Sequence, residues 1–282
     1  MDPLALVLIA AAVVSAFCWV ASLITKDTSW VDRIWSIVPV VYVWIFAAAA
    51  LVDGANATRP VVMALLVTAW GARLTFNFAR KGGYSGVEDD RWAVLRGRLK
   101  PWQFQLFNLF FIVLYQNALL VLISLPALIA WQNPVPFTGW DAAFAVLFAG
   151  FLFGEFVADQ QQWRFHQAKR AAGGQLEPGF ATSGLFAYSR HPNFFFEQAQ
   201  WWAFYAIGAT AAAASGLGLW GGALNWTILG AALLTLLFLG STVFTESITA
   251  SKYPAYADYQ RRTSMLVPLP RRRGASEAPT VA

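Results

Sequence analysis

The residues best suited to chemistry lie in one stretch, Gly184–Glu197, whose sequence is GLFAYSRHPNFFFE. The polar side chains at its centre are Arg190, His191, Asn193 and Glu197. Charged and amide groups are costly at membrane depth, so their presence beside an apolar segment indicates a site. Pro192 suits the first turn of a helix, which would place Asn193 and Glu197 on one face. The free N–H groups at that helix end could hold a phosphate or a carboxamide oxygen.

The composition indicates which elements must position these groups. Of 282 residues, 58% are hydrophobic and only 12% are charged, which is too apolar for a soluble domain of this size. We therefore expect an all-α polytopic membrane protein forming a single domain over residues 1–282, with a disordered tail from about residue 271. Apolar spans of roughly 20 residues predict seven transmembrane helices. They lie at about 4–25, 31–52, 60–79, 105–131, 140–165, 194–214 and 224–248.

Lys and Arg residues are distributed unevenly between the loops that these seven spans define. The loops after the third and fifth spans and the tail are basic, whereas Arg59 alone lies on the other side. Basic short loops stay in the cytoplasm, which predicts an outside amino terminus and a cytoplasmic carboxyl terminus. The basic face could attract anionic lipid or receive a dinucleotide phosphate. Ala-rich helices and a short tail favour a bacterial inner membrane over the endoplasmic reticulum.

Polar residues inside the spans fall at one depth under this topology. The set comes from five helices and comprises Asp32, Arg73, Asn77, Glu155, Asp159, Asn193, Glu197 and Glu246. Any one of them could serve only as an ion pair or hydrogen bond between packed helices. The whole set predicts a polar cavity that opens to the cytoplasm.

Several kinds of site are excluded by motif. Cys18 is the single cysteine, so no intramolecular disulfide forms. His166 and His191 are the two histidines and no HExxH motif accompanies them, so we predict no metal site. The chain lacks GxGxxG, Walker and GxSxG motifs. Any nucleotide would be held without a Rossmann domain.

Two motifs resemble a known group of membrane enzymes. The run SGLFAYSRHPNFFFE and the later KYPAYADYQRRTSMLVPLP resemble the carboxyl-terminal half of the steroid 5α-reductase superfamily. More closely, the whole chain resembles the DUF1295 family. Related patterns occur in sterol C14 and Δ7 reductases and in isoprenylcysteine carboxyl methyltransferases. The resemblance implies hydride transfer from NADPH to the activated C=C bond of an enone-type steroid, isoprenoid or other lipid.

The resemblance also implies roles for individual residues. Asn193 and Glu197 match residues that contact the nicotinamide end of NADPH, and Asp159 matches one that helps hold the nucleotide. Asp32, in the second span ahead of Pro39, matches an acidic residue that bonds to the substrate carbonyl. The expected catalytic residues are Asp32 and Trp70. The expected cofactor contacts are Arg73, Asn77, Arg80, Glu155, Asp159, Arg190, His191, Asn193, Glu197 and Tyr256.

Two positions depart from the family's pattern. Trp70, three residues before Arg73, stands where the family has Tyr, and Asp32 is one methylene shorter than Glu. An indole N–H donates a hydrogen bond but cannot supply a proton. To donate, the Asp32 carboxyl would have to carry its proton. Because of both departures, the sequence does not specify which lipid is the substrate.

Two other functions fit parts of the sequence. The SRHPNF stretch alone could also suggest a methyltransferase that uses S-adenosylmethionine. Methyltransferases of that type carry paired acidic residues near the end of the last helix, where this chain has only Glu246. A lipid carrier or channel would need polar residues through both leaflets, and the outer halves of these spans hold almost none.

The expected partners are a lipophilic substrate and membrane lipid, with no nucleic acid, and we expect a monomer.

Overall fold

The computed structural model describes residues 1–86 and 90–272 of the chain. All regular secondary structure in those ranges is helical, and the one bridge between extended residues joins Ser189 and Ser264. The all-α prediction is confirmed. The α-helices are α1 Pro3–Thr25, α2 Trp30–Ile34, α3 Val38–Val52, α4 Thr58–Arg80, α5 Asp90–Arg98, α6 Pro101–Phe107, α7 Gln116–Ser124, α8 Pro126–Gln132, α9 Gly139–Ala171, α10 Pro192–Ala212, α11 Gly218–Ala223, α12 Ile228–Lys252 and α13 Tyr256–Arg262.

Six helical segments in the described part of the chain are long and apolar enough to cross a membrane. They are typical of a multi-pass integral membrane protein. The last segment, Pro192–Lys252, runs over 61 residues and contains both α10 and α12, with Gly216 at φ 108° between them. The count of seven spans, the orientation of the termini and the bacterial inner membrane stay predictions.

Prolines mark where helices begin. The second span is broken by a turn at 35–37, and Pro39 lies in the first turn of α3. Pro126 likewise opens α8 directly after α7 ends. Because proline lacks an N–H, it fits the first helical turn, where that donor has no partner. Both prolines therefore lie where a new helix begins.

The chain divides into two compact units, each built from two separate stretches of sequence. The first unit comprises Met1–Ala149 and Trp201–Thr235, and the second comprises Gly150–Gln200 and Leu236–Ala282. The expectation of a single domain stays a prediction.

In the first unit, α3 and the turn before it pack antiparallel to α4. Ser36 Oγ lies 2.7 Å from Thr75 Oγ1, and further along α3 the Trp44 indole donates to Thr68 Oγ1 at 2.9 Å. A Cβ on Gly71 would lie 2.5 Å from the Ser36 carbonyl oxygen. A glycine is therefore required for α4 to approach the turn this closely.

A buried ion pair closes one end of the first unit. Arg59 and Asp141 are 1% and 0% exposed, and Arg59 Nη2 lies 2.7 Å from Asp141 Oδ2. Arg59 also donates to the carbonyl oxygens of Val135 and Pro136, and Asp141 accepts from Thr138 and Thr210. Each buried charge thus has one ionic partner and additional neutral hydrogen-bond partners. A buried ion pair needs these additional hydrogen bonds to offset the cost of removing both charges from water.

In the second unit, the segment before α10 pairs with the chain after α13. Tyr188 O accepts from the Leu269 N–H at 2.9 Å, and Ser189 Oγ donates to Leu266 O at 2.6 Å. Disorder from about residue 271 is a prediction. Arg271 Nε donates to Ala187 O at 3.0 Å and Arg272 N–H donates to Arg262 O, so these two residues are bonded to the rest of the unit. The rest of that tail, 273–282, lies outside the described residues.

Candidate functional site

The acidic residues predicted on α9 lie along its face toward α10. Gln200 Nε2 donates to Glu155 Oε2 at 2.5 Å, and the Leu185 N–H, ahead of α10, donates to Gln161 Oε1 at 2.8 Å. Residue numbers rise from 155 to 161 along α9 while those of the partners fall from 200 to 185, so the two segments run antiparallel. Asp159 lies one turn after Glu155 on α9, and Glu197 lies one turn before Gln200 on α10, between these two contacts. The structure therefore brings Glu155, Asp159, Asn193 and Glu197 onto facing stretches of chain.

These carboxyl side chains are withdrawn from solvent. Glu155 and Glu197 are 4% exposed and Asp159 is 3% exposed. Carboxylates are rarely buried without partners, and each of these three has polar or charged interactions. Asn193 is half-buried in the first turn of α10, and its side chain makes no hydrogen bond to any residue that the structure describes. The first turn of α10 therefore presents an amide that remains available to a ligand.

Gly184 allows the loop before α10 to reach α9. Its φ is +63°, a left-handed conformation that other residues adopt only with strain. A Cβ at this position would lie 2.5 Å from Gln161 Oε1, the atom that accepts from the Leu185 N–H. The glycine is thus needed both for its backbone conformation and for the contact with Gln161.

Three of the residues that we expect to contact the cofactor bond instead to the carboxylate of Glu246, near the end of α12. Arg190 Nε and Nη2 lie 2.6 and 3.1 Å from its two oxygens, and His191 Nε2 lies 3.0 Å from Oε1. The Tyr256 hydroxyl and Gln260 Nε2 donate to the same carboxylate at 3.1 and 2.9 Å. The polar atoms that Arg190, His191 and Tyr256 direct at Glu246 are therefore bound within the protein. We call this cluster of five residues the Glu246 network.

The Glu246 network fixes the start of α10. Arg190 Nη1 donates to the backbone carbonyl oxygens of Gln260 and Thr263, and the N–H groups of Arg190 and His191 donate to Ser264 O and Met265 O. His191 O in turn accepts from the Phe195 N–H, so the residue caps the helix, as its sequence position indicates.

Two tyrosines of α13 are buried beside this network. The Tyr259 hydroxyl donates to Phe186 O at 2.5 Å. Burial raises the pKa of the Tyr256 phenol well above its usual range, and the neighbouring Glu246 carboxylate raises it further. Burial also raises the pKa of Tyr259, against the opposing effect of Arg271 and Arg190. Both phenols therefore stay neutral hydrogen-bond donors at physiological pH.

In the first unit, α4 carries Trp70, Arg73 and Asn77. Trp70 is fully buried and meets Trp201 edge to face at a centroid distance of 4.9 Å. Arg73 and Asn77 are buried at 9% and 6% exposure, and Arg80 Nε donates to Asn77 Oδ1 at 2.9 Å. Their spacings of three and four residues place them on one face of this helix.

Asp32 lies on the short helix α2, and the structure gives it a neighbour that the sequence did not indicate. The half-buried Asp32 carboxylate accepts from the indole N–H of Trp92 at 3.2 Å, and Trp92 is 6% exposed. Arg33, the next residue, forms an ion pair with Asp27 at 2.5 Å and donates to Gly83 O. The carboxylate of Asp32 is thus held by a residue of α5, 60 positions away along the chain.

A family model described as "Protein of unknown function (DUF1295)" matches residues 18–263. The chain belongs to the DUF1295 family. An uncharacterized protein of Schizosaccharomyces pombe is 38% identical over 266 residues, an alignment that covers 89% of this chain and 75% of that protein. No solved structure matches the chain.

The site of this DUF1295 protein includes residues that the sequence reasoning missed. Gln200 extends the face of Asn193 and Glu197 by one further turn, a signal that the i, i+3 spacing carried. The Glu246 network depends on contacts up to 70 residues apart, for which no local pattern exists. Among the residues that the structure describes, no group of three or more His, Cys, Asp or Glu side chains could hold a metal ion.

Proposed function

We propose that this DUF1295 protein is an NADPH-dependent membrane reductase. Its substrate would be an enone-type C=C bond in a lipophilic steroid, isoprenoid or other lipid. NADPH would supply the hydride. The proposal is supported by the family membership, by the resemblance to the steroid 5α-reductase superfamily, and by the polar residues that α9 and α10 turn toward each other.

The amide groups of α10 fit the nicotinamide end of NADPH. The Asn193 amide makes no hydrogen bond to the described residues, and Gln200 Oε1 is buried without a hydrogen-bond partner among them. The carboxamide of nicotinamide carries both an N–H donor and a carbonyl acceptor. The donor could bond to Gln200 Oε1, and the acceptor could bond to the Asn193 amide. A buried acceptor without a hydrogen bond costs free energy. A hydrogen bond from a bound carboxamide would remove that cost. The available Asn193 amide is the observation that carries the proposal.

The remaining expected residues divide into two roles in this proposal. The side chains of the second unit that we assign to the cofactor are Glu155, Asp159, Asn193 and Glu197, whereas cofactor contacts of Arg73, Asn77 and Arg80 stay predictions. Arg190, His191 and Tyr256 are bonded to Glu246, and we assign them the positioning of the α10 start. Whether these three also touch the cofactor stays a prediction.

Asp32 and Trp70 are assigned to the substrate. Negative charge builds on the carbonyl oxygen as the hydride arrives, and a preorganised donor in a water-poor site stabilises that charge. A protonated Asp32 carboxyl would donate to the oxygen, with its orientation set by the Trp92 indole. The Trp70 indole N–H would add a second hydrogen bond but no proton.

The methyltransferase alternative relies on acidic residues near the end of the last long helix. Glu246 stands there, and its carboxylate already accepts from Arg190, His191, Tyr256 and Gln260. A carboxylate with this many internal donors is poorly suited to receive a further cationic ligand. The observation favours the reductase.

The proposal is tested by NADPH binding to the purified protein in lipid nanodiscs, followed by nicotinamide fluorescence. We expect saturable binding that Asn193→Ala and Glu197→Gln each weaken by roughly tenfold or more, because each removes about one buried polar contact. Glu177→Gln, an exposed carboxylate of the same unit, is the matched control and should bind NADPH like the wild type. Binding of S-adenosylmethionine without any binding of NADPH would overturn the proposal.

A further inference from the structure

Tyr42 of α3 carries a buried hydroxyl that forms no hydrogen bond with a described residue. The residue is 1% exposed, and its hydroxyl has no hydrogen-bond partner within residues 1–86 and 90–272. Leaving a buried polar group unbonded costs about 1–3 kcal/mol. Such a group therefore calls for an explanation, and a missing ligand is one of the recognised causes.

The surroundings of this hydroxyl are polar as well. Helices α1, α3 and α7 pack against one another, and Cys18 of α1 lies near Tyr42 of α3 and Asn117 of α7. Asn117 Nδ2 donates to Val113 O at 2.8 Å, whereas its Oδ1 is buried and accepts no hydrogen bond among the described residues. Two buried side chains on separate helices of this packed group thus each carry a polar atom without a hydrogen-bond partner among the described residues.

This region adjoins the residues that we assign to the substrate. Cys18 packs in one buried cluster with Val31, the residue before Asp32, and with Trp92, whose indole donates to Asp32. Tyr42 lies between Ser36, in the turn before α3, and Trp44 of α3. Their partners on α4 are Thr75 and Thr68. Trp70 lies between those two partners on α4. Tyr42 and Trp70 therefore stand at the same level of the antiparallel pair.

We propose that the Tyr42 hydroxyl binds the carbonyl oxygen of the lipid substrate and donates a proton to it. The inference rests on the proposed reductase function. It assigns to Tyr42 the proton that the Trp70 indole cannot supply.

The reduction consists of one hydride transfer and one net proton transfer. The β-carbon gains the hydride, the C=C electron pair moves toward the carbonyl carbon, and the carbonyl π pair moves to oxygen as an enolate. The Tyr42 O–H bond breaks toward that oxygen, which gives an enol and a tyrosinate. A proton from water restores the phenol. The enol becomes the saturated ketone when its α-carbon gains a proton and its oxygen loses one.

The test requires no cofactor. The probe is 2-cyclohexen-1-one, the enone group without a lipid tail, and the variant is Tyr42→Phe in nanodiscs. We expect the infrared carbonyl band of the bound probe to lie at lower frequency in the wild type than in the variant, because the hydrogen bond weakens the C=O bond. The probe should also bind about tenfold more weakly to the variant.

Tyr205→Phe is the matched control, since the Tyr205 hydroxyl of the same unit donates to Ala223 O at 2.7 Å. This control should lower the melting temperature and leave the carbonyl band unchanged. Tyr42→Phe should keep or raise the melting temperature, because its hydroxyl bonds to nothing among the described residues.

Two results would overturn the assignment of Tyr42. The first is an identical carbonyl band in wild type and Tyr42→Phe, and the second is a lower melting temperature of Tyr42→Phe without the probe, which would show a structural role. NADPH binding by the wild type is measured separately. Normal NADPH binding with an unchanged carbonyl band would reject Tyr42 alone, whereas absent NADPH binding would reject the reductase itself.

Discussion

The Glu246 carboxylate and the Arg190 guanidinium form a buried two-point ion pair, with Nε and Nη2 at 2.6 and 3.1 Å from the two oxygens. The side chains are 8% and 9% exposed. Paired hydrogen bonds between a guanidinium and a carboxylate fix orientation as well as distance. The pair therefore sets where the chain enters α10, and with it the position of Asn193.

Glu246→Gln removes the charge from this pair while it keeps the side-chain size. We expect a loss of roughly 3–5 kcal/mol in the free energy of unfolding, because Arg190 becomes a buried charge without its counterion. Thermal unfolding in nanodiscs measures it. Asp258→Asn, which loses only exposed ion pairs to Arg261 and Arg262, should cost about 1 kcal/mol or less. Equal losses in the two variants would contradict the structural role of Glu246.

Gly184→Ala tests the contact between the loop before α10 and α9. Its natural comparison is Gly54→Ala, because Gly54 has a similar φ of +66° but open space around it. Both substitutions should cost roughly 1 kcal/mol or more for the left-handed backbone. Only Gly184→Ala should also weaken NADPH binding, since its methyl group displaces Gln161. Equal NADPH affinities in the two variants would show that this contact does not position the site.

Asp141→Asn tests the ion pair at the end of the first unit. Arg59 is 1% exposed, so loss of its counterion should destabilise the protein by roughly 3–5 kcal/mol. Neither residue belongs to the proposed site, so NADPH affinity measured well below the melting temperature should not change. A weaker NADPH affinity at unchanged stability would contradict the conclusion that this ion pair lies outside the proposed site.

Alkaline pH should destabilise the second unit through its buried phenols. Burial raises the pKa of Tyr256 and Tyr259 above the ordinary value near 10. Between that value and their folded pKa, the native state binds more protons than the unfolded one, so stability falls as pH rises. The contribution is complete below about pH 10 and is lost above it.

The measurement is the melting temperature from about pH 8 to about pH 12, on either side of the ordinary phenol pKa, together with phenolate absorbance. Phenylalanine in place of both Tyr256 and Tyr259 should flatten the alkaline decline. Tyr188→Phe, at an exposed tyrosine of the same unit, should leave the decline unchanged. An identical decline in the double variant would assign it to other groups.

Local patterns in the chain were enough to predict its class and part of its site. Apolar runs of helical length require helices in lipid, where every backbone polar group must be bonded within its own segment. The helical period of about 3.6 residues then places Trp70, Arg73 and Asn77 on one face, and Pro192 marks where α10 begins. Each of these conclusions needs only residues a few positions apart.

Tertiary structure decided which polar atoms have partners and which remain unused. Arg190 meets Glu246 across 56 residues and Asp32 meets Trp92 across 60, and no local spacing distinguishes these partners from other polar residues. The unused hydroxyl of Tyr42 is likewise invisible in a helix whose sequence is uniformly apolar. Hydrogen-bond satisfaction depends on the positions of all neighbouring atoms, and only the packing of separate helices sets those positions.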